Sequence, residues 1–170
     1  TMATAQEKDT KAKAILDELS AKTKTYASIK AEFTMEIEGR DKKKETQQGS
    51  ILVKGDKYRL QIKGQTIYCD GKTVYTFLHA PTNEVQINNV DPNANEGLSP
   101  STIFTMYEKG FKYKFDKEET VGGVTIQTVD LFPTSPDKKK YHTAKMMIDK
   151  AKKQETGVKM LMKDGGTFTY

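Results

Sequence analysis

The chain has 170 residues, enough for one compact domain with its own core. At 35% hydrophobic and 30% charged it is lean for a globular protein without being disordered, and no apolar run approaches the roughly 18 to 20 residues of a membrane helix. Its net charge of +5 permits acidic surfaces, nucleic acid or anionic lipid as partners without selecting one, and its single cysteine, Cys69, excludes an internal disulfide.

Residues 1–9 read as a frayed terminus or expression remnant. A helix follows in "TKAKAILDELSAKTKTY", with Ala12, Ile15, Leu16, Leu19 and Tyr26 on one stripe and Thr10 as the expected N-cap. The period then changes to two. Ile29, Ala31, Phe33, Met35 and Ile37 alternate with Lys30, Glu32, Thr34, Glu36 and Glu38, the pattern of a half-buried strand. After the charged turn "GRDKKKE", "TQQGSILVKG" and "DKYRLQIKG" are further strands. In the latter, Tyr58, Leu60 and Ile62 face in while Lys57, Arg59, Gln61 and Lys63 face out. Asp70-Gly71 signals a type I′ hairpin turn, with positive φ expected at both positions. The hairpin puts Tyr68, Tyr75 and Phe77 on one face and Ile67, Val74 and Leu78 on the other, so this strand is apolar on both sides. "NEVQIN" adds a short strand and "NVDPNANEGL" a polar loop.

A short helix is expected in "SPSTIFTMYEKG", capped by Ser99, with Pro100 in its first turn and Gly110 as its stop. Alternation resumes at Phe111, Tyr113 and Phe115. "VGGVTIQTVDLF" and "YHTAKMMID" are strands, and "GVKMLMKDGGTFTY" is a hairpin around Asp164-Gly165. The expected fold is therefore mainly β (α+β). About ten strands form a large curved antiparallel sheet or incomplete β-barrel, and an N-terminal and an inserted short helix cover an apolar cavity. No repeat or long linker divides residues 1–170, which read as one domain.

The sequence lacks the motifs of an enzyme. Its two histidines, His79 and His142, stand apart from any catalytic pattern, and HExxH, GxSxG, P-loop and GxGxxG sequences are absent. One cysteine and two distant histidines do not make a metal site. The basic runs Lys42–Lys44 and Lys138–Lys140 lie beside turn signals, and the cations of "KYRLQIK" alternate with the apolar face. A solvated outer face fits them better than nucleic-acid binding. Cys69 reads as a small buried filler. What remains is a surplus of aromatic and adaptable apolar residues, six of them methionines from Met35 to Met162, on elements that cover a sheet.

The opening helix, "SIKAEF", "GSILVKGDKYRLQI" and above all "DGKTVYTFLHAPTNEVQI" resemble the periplasmic outer-membrane lipoprotein carrier family (LolA-like), and the likeness runs across nearly the whole chain. The resemblance implies an incomplete barrel with a helical lid over a hydrophobic cavity for lipoprotein acyl chains. It implies no catalysis and no cofactor, a monomer, and a periplasmic location after removal of a signal peptide. The implied partners are acylated lipoproteins, an inner-membrane lipoprotein-releasing transporter and an outer-membrane lipoprotein acceptor, with no nucleic acid. An envelope sensor or partner-binding module and a generic carrier of small apolar ligands are the alternatives. The cavity lining expected here is Phe33, Met35, Ile37, Leu60, Ile62, Tyr75, Phe77, Ile103, Phe104 and Tyr107, with the aromatic face of the Lys72–His79 strand toward the ligand. Family members carry Arg-Pro after the second strand's Val-Lys. Here Gly55 and Asp56 follow Lys54, so no residue receives the family's lid-fastening role. The ending "TFTY" falls within a strand, where members usually continue, so the last strand is expected to be cut short.

Overall fold

Period-two alternation dominates the computed structural model, which describes residues 2–90 and 104–170. A helix, α1 (Met2–Thr23), precedes six strands: β1 (Ile29–Glu38), β2 (Lys44–Lys54), β3 (Lys57–Ile62), β4 (Gln65–Cys69), β5 (Thr73–Leu78) and β6 (Glu84–Asn89). Five more follow: β7 (Phe111–Val121), β8 (Val124–Pro133), β9 (Tyr141–Asp149), β10 (Gln154–Met162) and β11 (Thr167–Thr169). They make one open antiparallel sheet of eleven strands in the order β6-β5-β4-β3-β2-β1-β11-β10-β9-β8-β7. Two meanders, β1–β6 and β7–β11, are thus joined where the first strand meets the last. That seam is short: β1 pairs with β11 only at Glu36–Thr169, Ile37–Phe168 and Glu38–Thr167.

Directly opposed residues in an antiparallel sheet share a face. The row Ile37–Phe168–Met160–Ala144–Leu131–Tyr113 therefore defines an inner face that crosses the seam. On the β7–β11 side this face is filled. Ala12, Ile15, Leu16 and Leu19 of α1 pack with Val129, Leu131, Ala144, Met146, Ile148, Val158 and Met160 into a single core. Each large side chain sealed there contributes about 1.5–3 kcal/mol over exposure. Lys11 Nζ sits 3.8 Å over the Phe115 ring, and Lys153 pairs with Glu18 at 3.0 Å, fastening α1 to the sheet beneath it.

Several local expectations need correction. The helix starts at Met2, so Thr10 lies inside it and is no N-cap. It stops at Thr23, which leaves Tyr26 beyond the stripe, exposed, with its hydroxyl accepting from Gln154 Nε2. The turn at Asp70 is not type I′. Gly71 alone takes positive φ (97°), and the Asp70 carboxylate accepts the N–H groups of Lys72 at 2.9 Å and Thr73 at 2.8 Å. An Asx turn has replaced the expected backbone turn, yet the Tyr68–Tyr75 pairing still forms. Of the inserted helix, the described residues show one 3-10 turn, Met106–Glu108. Ser99, Pro100 and Ile103 lie outside the described residues.

Candidate functional site

β1 carries its apolar residues on the inner face, but beyond Met35 toward its N-terminal end it has no β11 partner. The sheet opens there. A cleft of about 440 Å³ lies between the free edge of β1 and the stretch Glu155–Gly157 of β10. Consecutive residues from Ala31 to Met35 line it, because an unpaired edge presents both backbone and side chains. Ile51 and Leu60, opposite each other on β2 and β3, extend the lining away from the seam, and Phe168 and Tyr170 close it on the other side. Phe104 completes it. The volume falls within the usual range of ligand pockets, and the lining is mostly apolar.

Two features hold this arrangement. Ser20 donates to Glu108 Oε1 at 2.7 Å and Lys24 pairs with the same oxygen at 3.1 Å. These bonds tie the end of α1 to the 3-10 turn that follows Phe104 and hold the Glu108 carboxyl below its usual range. On the opposite wall, Phe33 faces Gly49 across β1 and β2. A Cβ at Gly49 would come within 2.6 Å of Phe33 Cζ and of the Gln61 carbonyl, so only glycine lets the ring lie where it does.

One wall is polar in an unusual way. A bulge in β10 between Glu155 and Gly157 leaves Glu155 opposite Ile148, on the inner face. Its side chain reaches the cleft, but Oε2 is buried with no hydrogen-bond partner. Desolvation pushes this carboxyl up to about 8. The hydroxyls of Tyr170 and Tyr107 are likewise buried without partners. Burial drives both phenols up, Tyr107 to about 12. Burial thus favours the neutral form of the Glu155 carboxyl on this wall.

The family model described as outer membrane lipoprotein carrier protein LolA matches residues 2–160. The chain belongs to this lipoprotein carrier family. No curated protein matches it in sequence. Among solved structures, it is similar to a putative outer membrane lipoprotein-sorting protein domain from Vibrio parahaemolyticus, at 14% identity and TM-score 0.50, covering 89% of this chain and 72% of that one. It is also similar to a DUF1329 family protein from Desulfovibrio piger (13%, TM-score 0.51, covering 92% and 89%). An uncharacterized conserved protein from Thermus thermophilus gives 12%, TM-score 0.54, covering 93% and 83%. At these identities the likeness is one of fold.

In this LolA-family chain, Phe33, Met35, Leu60 and Phe104 of the expected lining come together at the cleft. Ile37 shares their face but stands past the cleft against Phe168, 38% exposed. Ile62 borders a separate, more polar hollow with Gln61 and His79. Tyr107 is packed into the core with α1. Ile103 lies outside the described residues. Tyr75 and Phe77 are on the other side of the sheet. The register Lys30–Leu52–Arg59–Tyr68–Tyr75 puts the aromatic residues in line with the outward cations of β3. The face of β5 that continues the cleft's side carries Val74 and Leu78, so the expected assignment of its two faces is reversed.

Sequence reasoning missed Phe168 and Tyr170, although "TFTY" alternates as an inward-facing strand should. It also missed Glu155, which nothing in "KKQETG" distinguishes from a solvated glutamate. Among the described residues no cluster suited to a metal ion occurs. His79 Nε2 is 2.9 Å from Thr66 Oγ1, and His142 Nδ1 is 2.8 Å from Thr143 Oγ1. The run Lys42–Lys44 is taken up by Glu38, Asp41 and Glu36 at 3.1–3.3 Å. No helix of the described residues is long and apolar enough to cross a membrane.

Proposed function

We propose that this chain is a periplasmic carrier that shields lipoprotein acyl chains. It would take them from an inner-membrane releasing transporter and hand them to an outer-membrane acceptor, acting as a single unit over residues 1–170 and as a monomer. The observation that carries this reading is the apolar cleft bounded by Phe33, Met35, Leu60 and Phe104 on one side and Phe168 on the other. Family membership is consistent with it.

The energetics suit a carrier. Each methylene removed from water is worth about 0.8 kcal/mol, so a sixteen-carbon chain left in water forfeits about 12 kcal/mol. A protein that covers only part of such a chain lowers that cost and can still release it to an acceptor of higher affinity. Direction then comes from differences in affinity between donor, carrier and acceptor. No bond is made or broken, and no cofactor takes part.

The test is native mass spectrometry of protein purified from a Gram-negative envelope. Co-purified triacylated lipoprotein supports the carrier. A single small apolar molecule points instead to a generic carrier, and a stable protein partner without lipid points to an interaction module. Phe104→Glu places an unpaired charge in the cleft and abolishes acyl binding while circular dichroism stays unchanged. Normal binding of an acylated peptide by that variant would remove Phe104 from the site.

A further inference from the structure

The side of the sheet turned away from the cleft should be polar, and over β1 to β3 it is, apart from Leu52 between Lys30 and Arg59. Across β4–β6 it is not. Tyr68 pairs with Tyr75, Tyr75 with Ile87, and Phe77 with Val85, all pointing outward. Ile87 is 64% exposed, Val85 51% and Tyr68 48%. The cleft makes no use of this patch, and α1 packs on the other half of the sheet.

Its surroundings are basic. Arg59 and Lys30 lie in the same cross-strand row as the two tyrosines, and Lys54 opposes Lys57 in the next. Lys63 and Lys72 stand in the adjoining hairpin turns. The nearby carboxylates are Glu32, at the far end of the Phe77 row, Asp56 and Asp70 in turns, and Glu84, which precedes Val85 on β6 and by register faces the cleft side opposite Leu78. Asp70 already accepts two backbone N–H groups.

We propose that the outer face of β4–β6 is a membrane-docking surface for bilayers containing anionic phospholipid. Tyrosine beside exposed aliphatic side chains is the composition that favours the boundary between headgroups and acyl chains. A rim of cations adds attraction to acidic headgroups. The same rim disfavours a second copy of this chain, since two such faces would set like charges against each other. The surface lies on the opposite side of the sheet from the cleft, so docking and cargo binding are separable.

Co-flotation of the full chain with vesicles tests this. Vesicles of phosphatidylethanolamine with phosphatidylglycerol should carry the protein up, phosphatidylcholine vesicles should not, and added salt should weaken binding. The double variant Tyr75→Ser/Ile87→Ser should lose about tenfold in vesicle affinity, and Lys57→Ser/Arg59→Ser should lose the preference for anionic lipid. Val121→Ser/Val124→Ser, an exposed apolar pair at the other end of the sheet, should bind as the parent does. Phe104→Glu should also bind vesicles normally, which separates docking from the cleft. Equal flotation on both vesicle types, or parental binding by Tyr75→Ser/Ile87→Ser, overturns the proposal. So does a soluble dimer by light scattering that this same variant dissociates.

Discussion

Glu155→Gln is the substitution whose effect follows most directly from the geometry. A carboxyl with an ordinary value of 4.5 is held at about 8 because Oε2 is buried with no hydrogen-bond partner. The folded protein therefore keeps a proton that the unfolded chain releases. Stability must fall as pH rises from about 4.5 through about 8. At roughly 1.4 kcal/mol per unit the whole penalty approaches 5 kcal/mol, of which about 3 is already present at pH 7. Glutamine keeps the shape and cannot ionise, so it removes the titrating part of the cost. Urea unfolding at pH 5, 7 and 9 reads this directly. The advantage of Glu155→Gln over the parent should be small at pH 5 and should widen by about 3 to 4 kcal/mol by pH 9. The phenols of Tyr107 and Tyr170, raised by burial, titrate above this window and do not obscure it. Parallel pH profiles for the two proteins would mean that the carboxyl is solvated and that Oε2 is not buried.

Two further substitutions separate the cleft from the core. Gly49→Ala forces a Cβ against Phe33 Cζ and the Gln61 carbonyl, both at 2.6 Å. It should cost about 1–3 kcal/mol and also weaken binding of an acyl probe by displacing Phe33; an unchanged affinity would show that the ring does not shape the site. Leu131→Ala empties a fully buried position under α1 and should cost about 2–5 kcal/mol in chemical denaturation. Its probe affinity per folded molecule should stay at the parental value, because Leu131 packs under α1 and does not line the cleft.

The parts of this fold that read clearly from the sequence are those where one residue type alternates against another. Ile29 to Glu38 and Tyr58 to Ile62 show their faces in the residues themselves. The α1 stripe of Ala12, Ile15, Leu16 and Leu19 does so at helical spacing, and all four are buried. The β4–β5 hairpin could not be oriented this way. With Tyr75 and Phe77 on one face and Val74 and Leu78 on the other, periodicity is silent about which side is inside. Register with β3 decides, because Arg59 stands opposite Tyr68. Cross-strand neighbours carry that information, and no window of the hairpin's own sequence contains it. Glu155 was illegible for a related reason. Its burial comes from a bulge in β10 and from Tyr170 beside it, both of them tertiary facts.

The cleft sits at the seam and not beneath the helix because α1 covers only one half of the apolar inner face. The inner face is apolar on both sides of the β1–β11 junction, but α1 touches β7 and β10 and fills only that half. Phe33, Met35 and Leu60 remain half-buried because no element of comparable length lies over them among the described residues. A second well-packed helix in that place would add stability through its contacts, and it would also occupy the area a ligand needs. Among the described residues Phe104 borders this area, next to a turn that the Ser20 and Lys24 bonds to Glu108 tie to α1. Exposed charge-assisted bonds of this kind are individually weak. A cover fastened by them yields more readily than one fastened by core packing, as the proposed carrier role requires.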